Sequence, residues 1–269
     1  MTMDGQPCRQ MRIGLSVGIL GYHYAAWRLP DVPAGGNHDL AHYLNCAQIA
    51  ERGLMDFLFF ADQAVVRDAD HKLIRRDMEQ SHLKLEPTLL CAALAATTER
   101  IGFMPTVSTS FHQPYNLARR LASIDHLAQG RMGWNLVTST NPEEAANFNR
   151  AAPLDSATRH ARAREFFQVI SGLFDSWDDD AFVRNKETGL YFDRDKFHYL
   201  AYEGDHFRVR GPLDTARPPQ GQLPLTTAGT SDNAQELAAE IADMVYSAHP
   251  AIDLARSYYA SLKARLPKF

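Results

Sequence analysis

Short apolar runs bounded by Gly, Pro or Asp alternate along the chain with longer segments whose apolar residues recur at helical spacing. That alternation predicts repeated βα units and a parallel sheet. Strands are expected at 12–20, 56–61, 101–107, 132–138, 223–228 and 244–248. A helix over about 39–52 puts Leu40, Tyr43, Leu44, Ala47 and Ala50 on one face and meets Gly53 as its stop. Pro87 and Pro114 suit the first turns of the next two helices. The second of these, about 114–129, buries Leu117, Leu121, Ile124 and Ala128 and ends at Gly130. A further helix over about 158–177 carries Phe166, Val169, Ile170, Leu173 and Phe174. The segment 178–219 breaks the alternation with an acidic triplet, several aromatics and a Pro-rich exit. It is too long for an ordinary βα connection, so function or extra structure is expected there. One last amphipathic helix runs through Ile252, Ala255, Tyr258, Tyr259, Leu262 and Leu266.

With 269 residues, 45% of them hydrophobic, the chain can bury one large core, and a single domain over 1–269 is expected. A formal net charge of -4 and scattered Lys and Arg disfavour a nucleic-acid partner. Cys8, Cys46 and Cys91 are widely separated with no CxxC spacing, which argues against a disulfide framework or zinc knuckle and for a reducing, cytoplasmic setting. The first ten residues are polar with no apolar signal core after them, and no run is long and apolar enough to span a bilayer, so no membrane association is expected. His38 and His42 have helical spacing that could chelate a metal. Without an HExxH-type motif the favoured reading is two solvent-facing histidines, and no metal is expected.

Residues 130–149 carry the strongest chemical signal. After Gly130, the residues Met132, Trp134, Leu136 and Val137 form a buried β-run, while Asn135, Thr138, Ser139 and Asn141 set amides and hydroxyls at and beyond its carboxyl end. Ligands of α/β folds bind at that end. The set lacks a strong acid, base or thiol, which suits holding a flat polar heterocycle better than hydrolysis. Gly229, Thr230 and Ser231 join a strand to a helix; free N–H groups there make either an anion site or an ordinary capped helix, with Asp232 and Gln235 as a capping box. Asp62 ends the second strand, facing a cleft or capping a turn. Thr109 follows the third strand. His23, beside Tyr22 and Trp27, falls on the same rim, where a lone histidine is more often a structural hydrogen-bonder. The chain has no GxGxxG, GxxxxGK or GxSxG motif.

These residues, together with Phe59-Phe60-Ala61-Asp62-Gln63, Thr106 to Tyr115, Phe174-Asp175-Ser176-Trp177, Glu203 to Leu213 and Ala228-Gly229-Thr230-Ser231, occur in one order over nearly the whole chain. In that order they resemble the flavin-dependent monooxygenases related to nitrilotriacetate and dibenzothiophene-sulfone monooxygenases, a branch of the bacterial-luciferase-like superfamily. The resemblance implies a TIM (β/α)8-type barrel. About six βα units are visible, with a long insertion between strands 4 and 5, so the barrel is expected to be incomplete, stopping before its seventh strand.

The resemblance also implies FMN, used as reduced FMN. Asp62, Thr109 and Asn135 would contact the flavin, and Gly229, Thr230 and Ser231 its phosphate; His23 would stand beside the substrate as the catalytic residue. Related sequences carry His and Tyr at the two ends of the pentapeptide 156–160, both assisting the flavin. Here Ser156 and His160 stand in their places, a hydroxyl and an imidazole that can bond a phosphate. With no nicotinamide fingerprint, a separate NAD(P)H:flavin reductase is the expected partner, with O2 and a small organic or xenobiotic substrate (nitrilotriacetate-, sulfone- or alkane-like). A homodimer through outer helices is also implied. The alternative is a catalytically inactive flavin-binding or interaction fragment of that family. A deazaflavin-dependent reductase is a third reading, disfavoured by the GWNLVTS block.

Overall fold

The computed structural model describes residues 10–18, 20–23, 25–66 and 84–269. Cys8, named above, and position 19 of the expected first strand lie outside them. Six parallel strands form one sheet in the order β1 (Gly14–Ser16), β2 (Phe57–Phe60), β3 (Gly102–Ser108), β4 (Trp134–Val137), β7 (Leu225–Ala228) and β8 (Met244–Tyr246). This is the predicted set, in sequence order, as in a (β/α)8 barrel. The sheet curls: the rings of Phe59 on β2 and Tyr246 on β8 stack at 6.2 Å although three strands separate them in the sheet.

The first strand is shorter than the expected 12–20. It is an edge strand whose neighbour β2 has four residues, and the Ile13 N–H donates to the Asp56 carboxylate at 2.7 Å instead of to a ladder carbonyl. The segment 178–219 does hold extra structure, an antiparallel hairpin of β5 (Tyr202–Glu203) and β6 (Arg208–Val209). Ahead of it, Trp177 packs against Phe182, Phe192 and Phe197 at 4.8, 5.4 and 5.5 Å between ring centroids.

Seven α-helices are present among the described residues. In α1 (Leu40–Arg52), Asp39 caps the start by accepting from Ala41 N–H, and Tyr43, Ala47 and Ala50 are buried as expected; Leu40 is 41% exposed. The stop differs from expectation. Gly53 keeps a φ of -75, and Leu54 takes the left-handed conformation at φ 58. Pro87 opens α2 (Pro87–Ala95) and Pro114 opens α3 (Pro114–Leu127), which ends earlier than expected where Gln129 and Gly130 both turn left-handed. The short α4 (Pro142–Ala146) was not foreseen. Helix α5 (Ser156–Phe174) begins two residues before the expected start, at its cap Asp155. The last two are α6 (Asp232–Ile241) and α7 (Ile252–Lys263). The amphipathic face expected for the final helix is not covered: no residue of α7 is buried, Ile252 is 67% exposed, and Leu266 falls in a separate 3-10 turn.

Register separates the two faces of the sheet. Leu58, Phe60, Phe103, Val107, Trp134, Leu136 and Leu225 point to the helices and join one hydrophobic core with Leu94, Leu117, Leu121, Phe166 and Ile170. At the floor of the barrel, the amino-terminal end of the strands, Arg131 binds Ala128 O, Thr98 Oγ1, Ile101 O, Ala95 O and Thr98 O at 2.7 to 3.1 Å. Asp125, fully buried, accepts from Met132 N–H and from both nitrogens of Gln220. Arg131→Met strands several carbonyls in partly buried surroundings and is expected to cost about 3 kcal/mol. Urea unfolding should show the midpoint falling at constant slope.

Candidate active site

The inner face of the sheet is built differently from the outer one. Paired registers align Thr106 on β3 with Asn135 on β4, Thr226 on β7 and Met244 on β8, so these four share one row across the concavity. Thr106 is 5% exposed, Asn135 3% and Thr226 6%. The Asn135 amide donates to Thr106 Oγ1 at 2.9 Å, but Asn135 Oδ1 and Thr226 Oγ1 are buried with no partner. Two unmet polar atoms side by side are a cost unless something binds there. One layer nearer the mouth, Ser139 donates to Ser108 at 2.8 Å.

The other predicted positions distribute around this row. Thr109, just past β3, is buried and donates its hydroxyl to Val137 O at 3.2 Å, so that group is engaged with the top of β4. Asp62, at the end of β2, pairs with Lys84 Nζ at 3.1 Å, and the same ammonium donates to Ala61 O. His23 is exposed in the turn after β1, with its Nδ1 accepting from Ala25 N–H at 3.2 Å. Its neighbour Tyr22 hydrogen-bonds Ser16 on the inner face of β1.

A second group gathers at the start of α6. The N-cap is Ser231, whose hydroxyl accepts from Ala234 N–H at 3.3 Å; the expected capping box on Asp232 does not form, because Asp232 lies inside the helix and pairs with Arg265 at 2.8 Å. Gln235 instead donates back to Thr230 O at 2.9 Å. Gly229 holds φ +145, and a Cβ there would lie 2.6 Å from that of Ala234, so the turn needs glycine. Asn233 donates to Ser156 Oγ at 3.3 Å, and His160 Nδ1 lies 2.7 Å from Ser156 O. The structure therefore brings Ser156 and His160 of α5 together with the Gly229–Ser231 turn, at the amino-terminal ends of two helices. Thr109, Asp62 and His23 stand apart from that cluster.

Three residues of the surrounding frame escape sequence reading. Lys84 is the counter-charge to Asp62. Glu144, 3% exposed on α4, accepts from Ala64 N–H at 3.0 Å and ties the segment after β2 to the β4 crest. Arg162, 8% exposed on α5, donates to Thr109 O and to His112 O. Burial, with the nearby Arg150 charge as the second cause, pulls the Arg162 guanidinium down to about 10. Asn141, read from the sequence as an amide on the ligand-facing crest, is instead the cap of α4, accepting from the N–H groups of Glu143 and Glu144.

Residues 22–268 match the family model described as luciferase-like monooxygenase. The chain is 40% identical over 261 residues to N-acetyl-S-(2-succino)cysteine monooxygenase of Bacillus subtilis (strain 168), covering 97% of this chain and 58% of that protein. It is also 40% identical over 267 residues to nitrilotriacetate monooxygenase component A of Aminobacter aminovorans, covering 97% of this chain and 59% of the relative. Among solved structures, a riboflavin lyase with modified FMN and the substrate riboflavin aligns with a TM-score of 0.86 and 31% identity, over 97% of this chain and 59% of the other. The chain thus spans under two thirds of the length of these proteins. With the model match covering nearly all of its residues, the chain belongs to the luciferase-like monooxygenase family.

Proposed function

We propose that the chain binds FMN, preferentially reduced, on the concave face of its sheet and serves in the oxygenase component of a two-component monooxygenase. The observation that carries this reading is the pair of buried, unpartnered oxygens, Asn135 Oδ1 and Thr226 Oγ1, in one inner row. An amide oxygen accepts and a hydroxyl can do either, which fits the mixed donor and acceptor edge of a flavin ring. The row holds no acid, base or thiol that would point to hydrolysis. The 229–231 turn with Ser156, His160 and Asn233 offers hydroxyls, an amide and a helix start, the donor set a phosphate takes.

Reduced flavin, when bound, supplies the electrons that activate dioxygen. This chain's residues orient it: Asn135 and Thr226 hold the ring, and Thr109 fixes the strand ends beneath it. Asp62, its charge balanced by Lys84, shapes the rim. Tyr22 and His23 would form the substrate side of the mouth, with His23 the candidate proton donor or acceptor. A single-domain chain over 1–269, a separate NAD(P)H:flavin reductase, a small organic substrate and pairing through outer helices all belong to the same proposal. The family relatives named as monooxygenases of nitrilotriacetate and of N-acetyl-S-(2-succino)cysteine support a polar organic substrate.

Anaerobic titration followed by flavin fluorescence tests the reading. Reduced FMN is expected to bind more tightly than oxidised FMN, and failure to bind either form in folded protein overturns it. Binding without oxidation of any substrate, when a reductase, NADH and O2 are supplied, would favour the alternative of a flavin-binding fragment.

A further inference from the structure

A second polar cavity lies on the opposite side of α5 from the Ser156 and His160 cluster. His160 and Arg162 are two positions apart, roughly 200° around a helix, so they serve different sides. The cavity, about 800 Å³, is lined by Gln113 at the start of α3, Thr158 in the first turn of α5, Arg150, Arg162, and Asp205 with His206 in the turn between β5 and β6. Among the described residues neither Arg150 nor Arg162 forms a salt bridge. Arg162 spends donors on the carbonyls of Thr109 and His112 and lies over the Phe207 ring at 4.5 Å. Glu165 offsets part of its charge, yet that carboxylate is already used by the N–H groups of Asp205 and His206 at 3.2 and 3.0 Å. Asp205 itself is exposed at the rim.

We infer that this cavity is a binding site for a small carboxylate or phosphate anion, held between Arg150 and Arg162 and separate from the flavin site. Two guanidiniums facing one space with no paired carboxylate repel each other, and an anion between them removes the repulsion while accepting charge-assisted bonds. The amino-terminal turn of α3, which has no side-chain cap, adds positive potential at the same wall, whereas that of α5 is already met by Asp155. Gln113 supplies a neutral amide donor, while the Thr158 N–H and hydroxyl are taken by Asp155; the planar fork of Arg150 fits two-oxygen groups. Because Arg162 also grips Thr109 O, an occupied cavity would firm the turn after β3, on which the neighbouring candidate site is built. The anion site does not depend on the flavin reading.

The test is calorimetric titration of the protein with inorganic phosphate and, separately, with succinate in low-salt buffer, repeated on Arg150→Met and on Arg256→Met, a control at an exposed position of α7. The wild-type protein and the control are expected to bind at least one anion, and Arg150→Met to bind it roughly tenfold or more weakly; which anion binds tells phosphate from carboxylate ligands. FMN affinity should be unchanged in Arg150→Met. No binding by the wild type, or equal binding by Arg150→Met, overturns the site. A selective loss of FMN over riboflavin in Arg150→Met would make this cavity the flavin phosphate pocket and overturn its separateness, leaving flavin binding itself standing.

Discussion

Replacing Asn135 by Leu is expected to abolish most flavin affinity while leaving the protein as stable as before or slightly more so. Asn135 makes one side-chain bond, to Thr106, and leaves Oδ1 buried and unmet. Leucine has nearly the same shape, removes the orphaned oxygen and adds apolar burial, while Thr106 can turn its hydroxyl elsewhere; the net effect on folding is within about 1 kcal/mol. With flavin present the balance reverses, because a ring edge that met an amide now meets a methyl group. Losing such a bond in a buried site costs about 1–3 kcal/mol, or up to roughly a hundredfold in affinity. FMN and riboflavin should suffer alike, since they share the ring. Paired thermal melts and flavin titrations decide it: a large fall in melting temperature with unchanged affinity would make Asn135 a structural residue only.

The second large effect is expected from Ser231→Glu, which should weaken FMN strongly and riboflavin little. Glutamate at the cap sets a negative charge beside the place proposed for the phosphate. At an effective dielectric near 20 and a separation near 4 Å the repulsion is about 4 kcal/mol per charge pair, and solvent at this exposed turn reduces it to about 2 kcal/mol, some thirtyfold. Part of the serine's capping is kept, because a carboxylate also favours a helix start. The quantity to measure is therefore the ratio of the FMN and riboflavin dissociation constants, not either one alone. An unchanged ratio would move the phosphate away from α6.

What could be read from the sequence followed from short-range pattern. Apolar runs located all six strands of the main sheet, the four central ones burying an outer face against helices, and the two prolines marked helix starts because their missing N–H is harmless there. Helix ends were less legible: Gly53 looked like the left-handed stop, but the chain continues one residue further and turns left-handed at Leu54, with the Met55 N–H closing on Ala50 O. Helix α4 is too short to show a period. The site was legible as residue types and not as pairings. Asn135 could be singled out on its strand, whereas its alignment with Thr226 depends on the register of two strands far apart in the chain. Lys84, Glu144 and Arg162 also act through partners outside their own segments, and no local spacing announces them.

The long arm between β4 and β7 is stitched down at both ends. Near its entry Ser176 Oγ accepts from Leu213 N–H at 2.9 Å and Trp177 donates to Leu213 O at 2.8 Å; at its exit Gln220 reaches Asp125 and Met132 O beneath the barrel. A segment held this way opens with its scaffold and not before it, so its innermost amides should exchange with deuterium about as slowly as those of the central strands. It then serves as a fixed outer layer along α5 and under the sheet instead of a moving flap, and it contributes rigidity, not gating, to the scaffold that carries the mouth.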